Sequence, residues 1–252
     1  VGKDILANGI PQEISPLIIG ITGYGNVASG VQELLHLLPV KEILPQEIED
    51  TYKIKNNNII YKVVFHEKHL YQNINNIDFN LHDFYTNPQN YKSIFYNYLP
   101  HISILLNCIY WDSNYPRILP KSIMAKLFTE NKLRLKVIGD ISCDINGSVE
   151  TTSKATSIEN PFYLYNPLTE ETTDGYKGEG ILTMAIDILP AELPLEASIS
   201  FSNILKTFIP YIINANFNDT YENINLPYPI KKALILLNGK LTPEYKYMEK
   251  FL

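Results

Sequence analysis

Long apolar runs are absent from this sequence, and none approaches the ~20 residues a helical membrane span requires. Cysteine is scarce as well. Cys108 and Cys143 are the only two, and their separation matches neither a zinc-ligand spacing nor a disulfide framework. That leaves a protein of a reducing compartment that relies on neither. Basic blocks are missing: the formal net charge is -6, and no cluster of Lys or Arg offers a surface for nucleic acid. There is no G-x-S-x-G nucleophile elbow and no Walker-type phosphate loop. Histidine is too sparse for a metal site. His66 and His69 lie three apart without further ligands, while His36, His82 and His101 are isolated, so no metal is expected. No signal or transit peptide is visible. The first residue is Val1 rather than methionine, which points to a piece of a longer polypeptide and leaves the location open between mitochondrion and cytoplasm.

What is present is enough for a core. The 252 residues are 45% hydrophobic and 12% aromatic, which suits one large domain or one and a half smaller ones. The organising stretch runs from Pro16 to Leu38. Leu17 to Ile21 is an apolar run of the kind that fills a strand buried on both faces. Gly23-Tyr24-Gly25-Asn26-Val27-Ala28 follows as a glycine turn. Val27, Val31, Leu34, Leu35 and Leu38 then form one stripe of an amphipathic helix ended by Pro39. Strand, G-x-G-x-x-A and helix make up a dinucleotide-binding fingerprint. Gly23 permits the tight turn. Gly25 removes a side chain where a pyrophosphate must approach, and the helix N-terminus offers free N–H groups to it. Tyr24, Asn26 and Val27 complete the cofactor-binding candidates of this turn.

Val40 to Leu44 reads as the second strand, whose end would contact the adenosine ribose. Leu44-Pro45 stands there instead of Asp or Glu, which leaves room for a 2′-phosphate, with Lys53 and Lys55 as nearby charge. Ile59 to His66 reads as a strand added to the basic fold. The span 72–80 reads as a loop, and Asn87-Pro88 as the start of a helix carrying Tyr91, Ile94, Phe95 and Tyr98 on one face. Ile102 to Ile109 and Leu135 to Ile141 are further buried strands, with a short helix from Pro120 to Phe128 between them. Short strands are expected at Phe162–Tyr165 and Ile181–Ile186. A long helix runs from Pro194 to about Ile213, and a last helix from Pro229 to Leu237 stops at Asn238-Gly239. Alternating strands and helices predict an α/β fold, a doubly wound parallel sheet with a C-terminal helical return segment. The expected domains are residues 1–193, binding the dinucleotide, and residues 194–252, belonging to or packing on a further domain.

Doubly wound sheets bind ligands at the carboxyl ends of their strands, and three ends carry chemistry. They are the glycine turn, the segment Asn107-Cys108-Ile109-Tyr110-Trp111, and the segment Asp140 to Asp144. Asn107, Ile109, Tyr110 and Asp140 are therefore cofactor-binding candidates. Asp144 fits either an Asx turn capping its own loop or a carboxylate facing the nicotinamide and substrate. Cys108 reads as a small buried hydrophobe, and nothing near Cys143 would lower its pKa.

Several segments together resemble a known family. Ile21-Thr-Gly-Tyr-Gly-Asn-Val-Ala-Ser-Gly30, Leu106-Asn-Cys-Ile-Tyr-Trp111, Gly139-Asp-Ile-Ser-Cys-Asp144 with Gly147-Ser-Val-Glu150, Thr156-Ser-Ile-Glu-Asn-Pro-Phe162 and Leu189-Pro-Ala-Glu-Leu-Pro-Leu-Glu-Ala-Ser198 are similar to lysine-ketoglutarate reductase. So is the ending Asn238 to Tyr247. That enzyme is the saccharopine-forming region of bifunctional aminoadipic semialdehyde synthases, within the wider alanine dehydrogenase, transhydrogenase and saccharopine dehydrogenase family.

The resemblance implies an oxidoreductase of lysine degradation, saccharopine dehydrogenase of the NADP-dependent, L-lysine-forming type. L-lysine and 2-oxoglutarate condense, and NADPH reduces the imine, with NAD as the alternative cofactor. It implies Asp144 beside nicotinamide and substrate. It places the acid–base lysine and histidine in an upstream catalytic domain of the same polypeptide, with a saccharopine-oxidising domain as a further downstream partner. The isolated piece is then expected to be inactive. An alanine dehydrogenase-like enzyme and a non-catalytic dinucleotide-binding module are the alternatives.

Overall fold

The structure is a computed structural model and describes residues 1–54 and 56–251; Lys55, one of the two lysines considered for a 2′-phosphate, lies outside them. It divides into two compact units, Val1–Asp187 and Ile188–Leu252. The division falls slightly before the expected boundary at residue 193, because the short helix Leu189–Glu192 packs with the helix that follows it.

In the first unit the elements alternate as the sequence predicts. Helix α1 (Gly2–Asn8) leads into strand β1 (Leu17–Thr22), helix α2 (Asn26–Leu35), strand β2 (Val40–Glu42), helix α3 (Ile48–Ile54) and strand β3 (Ile60–Phe65). Helix α4 (Glu67–Leu70), strand β4 (Tyr71–Asn73), helix α5 (Leu81–Thr86) and strand β5 (Tyr91–Ser93) form an excursion. Strand β6 (Ile104–Asn107), helix α6 (Lys121–Thr129) and strands β7 (Val137–Asp140), β8 (Tyr163–Tyr165), β9 (Thr172–Asp174) and β10 (Ile181–Met184) complete the unit. The main sheet has eight strands in the order β2-β3-β1-β6-β7-β10-β8-β9. Pairing is parallel from β2 through β10, while β8 and β9 close one edge antiparallel. This is an α/β, doubly wound, Rossmann-like fold.

The alternation along β1 shows why the sheet is covered on both faces. Ile18 packs into a core with Val63, Phe65 and Leu105, whereas Ile19 and Ile21 point the other way, toward Ala28 and Val31 of α2. Each large apolar side chain fully buried in this way contributes roughly 1.5–3 kcal/mol. Gly20 belongs to the same packing, since a Cβ there would come within 3.0 Å of the Phe65 ring. The stripe of α2 is rotated from its expected place. Ala28, Val31 and Leu35 face the core, while Val27 and Leu34 are exposed.

Three further expectations are corrected. The helix expected from Pro88 is a 3-10 turn, strand β5 and a second 3-10 turn at Phe95–Asn97. Tyr91 and Phe95 are buried as the pattern required, but the backbone of 91–93 pairs antiparallel with β4. The span 72–80, read as loop, contributes β4 and the Asn80 cap of α5, whose side chain accepts from Asp83 N at 2.9 Å. The strand read as an addition, β3, lies directly beside β1, and β2 stands outside it at the edge.

In the second unit, α7 (Leu189–Glu192), α8 (Pro194–Leu205), α9 (Ile209–Asn214) and α10 (Tyr228–Ala233) precede a hairpin of β11 (Leu236–Leu237) and β12 (Lys240–Leu241). The single long helix expected from Pro194 is two. Pro210 has no N–H, and its ring clashes with the carbonyl four residues back, so an α-helix cannot run through it. The chain instead tightens through Thr207 N to Ile204 O and Phe208 N to Leu205 O. Asn238-Gly239 does not stop a helix. Both residues have positive φ, 52° and 76°, which is the two-residue hairpin geometry that Asn-Gly favours.

Candidate functional site

Four strands end on one line. In register, Phe65 of β3, Thr22 of β1, Asn107 of β6 and Asp140 of β7 are neighbours across the sheet, each the last residue of its strand. Whatever follows them emerges at the carboxyl edge, where doubly wound sheets bind ligands.

After β1 comes the glycine turn. Gly23 has φ +89°, and a Cβ there would lie 3.1 Å from Cys108 O and 3.2 Å from Ile109 Cγ2. Only glycine takes that backbone and that closeness without strain. Its N–H donates to Phe65 O at 3.0 Å. Gly25 differs: it caps α2 with ordinary φ, and a Cβ there would meet nothing within 4 Å. The first-turn N–H groups of α2 open onto that empty space, with no side chain capping them. The turn therefore fits a pyrophosphate.

The space is part of a cavity of about 590 Å³ lined by residues 23–27, by Ile109 and Tyr110 after β6, and by Ser142 and Asp144 after β7. Its far wall is aromatic: Tyr71, Phe84 and Tyr85 come from the excursion between β3 and β6, and Tyr115 from the segment after β6. Among the described residues, Glu67 and Asp144 are its only carboxylates, and no Lys, Arg or His lines it. Tyr24 bridges turn and wall. Its hydroxyl donates to Glu67 Oε1 at 3.2 Å, and its ring stacks on His66 with centroids 4.4 Å apart. Burial, then the Glu67 charge, raises the Tyr24 pKa, so the phenol stays a donor. Tyr110 is 85% exposed, whereas Trp111 is tied down through Nε1 to the carbonyls of Tyr115 and Pro116.

Asn107 and Asp140 do not line the cavity. Both are buried beneath it as one polar network. Asn107 accepts from Thr22 Oγ1 at 2.7 Å and donates to Asp140 Oδ1 at 2.8 Å and to Ser148 Oγ at 2.9 Å. Asp140 also accepts from Ser142 Oγ at 2.8 Å and from Thr152 Oγ1 at 2.5 Å. A buried carboxylate so saturated holds strand ends together and has little left to offer a ligand.

Asp144 is different. The turn that follows it is closed by its backbone, Gly147 N to Asp144 O at 2.9 Å, not by its carboxylate. Its side chain faces the cavity. Burial, and secondly the charge of Asp140, raise its pKa, with Ser142 partly opposing. Neither thiol is activated: burial pushes Cys108 and Cys143 both up to about 11. His69 Nδ1 accepts from the His66 backbone at 3.1 Å, and among the described residues no group of three His, Cys, Asp or Glu is placed to hold a metal ion. Lys53 pairs with Glu49 and Asp50 on its own helix at 3.1 and 3.2 Å. Glu67 is the site residue that sequence reasoning missed. Its signal was an acidic residue two positions beyond the end of the strand at 60–65.

Fold and site together define a Rossmann-like α/β protein with its glycine turn and a strand-end carboxylate on one cavity. The chain is homologous to alpha-aminoadipic semialdehyde synthases, as its motifs indicated. It is 34% identical to that protein of Arabidopsis thaliana over 99% of its own length, and 30% identical over the same share to the mitochondrial alpha-aminoadipic semialdehyde synthases of Mus musculus and Rattus norvegicus. It spans about a quarter of these relatives, 24% of the plant protein and 28% of each rodent one. No family model matches the chain. No helix of the described residues is long and apolar enough to cross a membrane.

Proposed function

We propose that the chain is the nucleotide-binding part of an oxidoreductase of lysine degradation, one that condenses L-lysine with 2-oxoglutarate and reduces the product to saccharopine. The observation that carries this reading is the cavity, in which an uncapped helix N-terminus behind Gly25 and the Asp144 carboxylate face the same space. Homology to alpha-aminoadipic semialdehyde synthases along the whole chain supports it.

A pyridine dinucleotide, when bound, supplies the hydride. The N–H groups at residues 25–27 and the positive end of α2 hold its pyrophosphate. Ile109 and Tyr110 flank the nicotinamide end. The ε-amine of lysine and the ketone of 2-oxoglutarate lose water to form an imine, which takes up a hydride at carbon and a proton at nitrogen. Asp144 favours the cationic iminium at that stage, a charge its amide counterpart cannot match. The groups that move the protons lie in the part of the polypeptide outside this chain.

The test is NADH and NADPH oxidation with lysine and 2-oxoglutarate by the chain joined to the polypeptide that precedes it. Asp144→Asn should lower kcat by ~10²–10³ with cofactor affinity nearly unchanged. A variant within about threefold of wild type, against that expected ~10² or more, would leave Asp144 without a role in the reaction.

A further inference from the structure

The end of β3 carries a group that no motif drew attention to. Because β3 pairs directly with β1, Thr22 opposite Phe65, the residues that follow the two strands emerge side by side. Gly23-Tyr24-Gly25 follows one, and His66-Glu67 follows the other. In a dinucleotide-binding sheet the strand next to the glycine-turn strand ends at the adenosine ribose. A carboxylate there accepts from the 2′-hydroxyl, whereas a 2′-phosphate needs Arg or Lys. The expectation of a 2′-phosphate rested on the resemblance and on Leu44, which follows β2. That strand is at the sheet edge, with β3 between it and β1.

Glu67 is held for such a task. Tyr24 and Tyr85 both donate to its Oε1, at 3.2 and 2.8 Å, and both come from the cavity wall. Oε2 has no hydrogen-bond partner among the described residues. Glu67 lines the cavity together with the glycine turn. Among the described residues no cation lines it, and the adjacent Lys68 is exposed outside it. We propose that Glu67 is the ribose-reading residue of this site and that the protein prefers NADH to NADPH. The proposal rests on the dinucleotide reading of the cavity. A phosphate at the 2′ position would set about two negative charges against the carboxylate with no counter-ion to offset them. A ribose diol meets the free Oε2 as a charge-assisted hydrogen bond.

The experiment is titration calorimetry of the protein with NADH and with NADPH near physiological ionic strength, since low salt exaggerates charge effects. Competition by 5′-AMP and by 2′,5′-ADP against bound NADH reports the ribose end alone. Wild type should bind NADH at least tenfold tighter than NADPH, and 5′-AMP should displace it better than 2′,5′-ADP. Glu67→Gln keeps a carbonyl oxygen for both tyrosines. It should weaken NADH by roughly tenfold, the loss expected for one charge-assisted hydrogen bond, while leaving NADPH unchanged or tighter. Equal or tighter NADPH binding by wild type overturns the assignment of Glu67 and leaves the glycine turn as a binding site. An unchanged NADH affinity in Glu67→Gln does the same. Binding of neither nucleotide would overturn both.

Discussion

Asn107 and Asp140 end adjacent strands, and Asn107 Nδ2 donates to Asp140 Oδ1 at 2.8 Å with both side chains buried. The pair ties β6 to β7 just below the cavity, and Thr22, Ser142, Ser148 and Thr152 complete its hydrogen bonds. Removing the amide would leave a buried carboxylate and two hydroxyls short of partners. Asn107→Ala should therefore cost about 3 kcal/mol of stability. Ser142→Ala, which removes one donor at the margin of the network, should cost about 1 kcal/mol. Urea melts of the two variants beside wild type measure both, and equal small losses would show that the network contributes little.

The two glycines of the turn should behave oppositely. Gly23→Ala forces a side chain into a left-handed backbone at φ +89° and against Cys108 O, 3.1 Å away. It should lose about 2 kcal/mol, within the range for such strain. A thermal midpoint equal to wild type would mean that the turn relaxes freely.

Asp144 should show a cost in stability that serves its position. Burial raises its folded pKa, so the folded state holds this proton more tightly than the unfolded chain. Stability then falls as pH rises through the folded pKa, and the penalty is complete above it. Asp144→Asn removes the penalty. It should melt higher than wild type at pH 7, with the difference shrinking as the pH falls through the raised folded pKa and gone below the unfolded carboxylate range. Thermal melts across that range check it, and a variant that melts lower at pH 7 would show that the carboxylate is stabilised where it stands.

How much of this was legible in the sequence depended on how local each signal was. The apolar run 17–21, the glycines that follow it and Pro39 are neighbours in the chain, and the strand, turn and helix they predict are there. Asp144, singled out as a residue just past a buried strand, lies in that place after β7 and lines the cavity. The order of strands was not legible, because pairing joins residues far apart in sequence. Ile59 to His66 announced a strand but not its neighbour, so the emergence of Glu67 beside the glycine turn could not be read from the sequence. Two misses were local and carried their own signals. Pro210 interrupts the apolar stripe read as one helix, and Asn238-Gly239 between Leu236-Leu237 and Lys240-Leu241 is a hairpin turn before it is a helix stop. Val27 and Leu34 failed for a third reason: on a helix this short, the small Ala28 sets the buried face because only it lets α2 approach β1.

The most direct measurement is the affinity of the protein for a reduced pyridine dinucleotide, wild type beside Gly25→Val, by titration calorimetry. Gly25 has ordinary φ, and a Cβ there meets nothing within 4 Å, so the variant should fold with a thermal midpoint near that of wild type. Its branched side chain would occupy the space in front of the α2 N-terminus. Affinity should fall by ~10²-fold or more, about 2.7 kcal/mol. Equal affinities in two equally folded proteins would contradict the assignment of the glycine turn as the place where the dinucleotide binds.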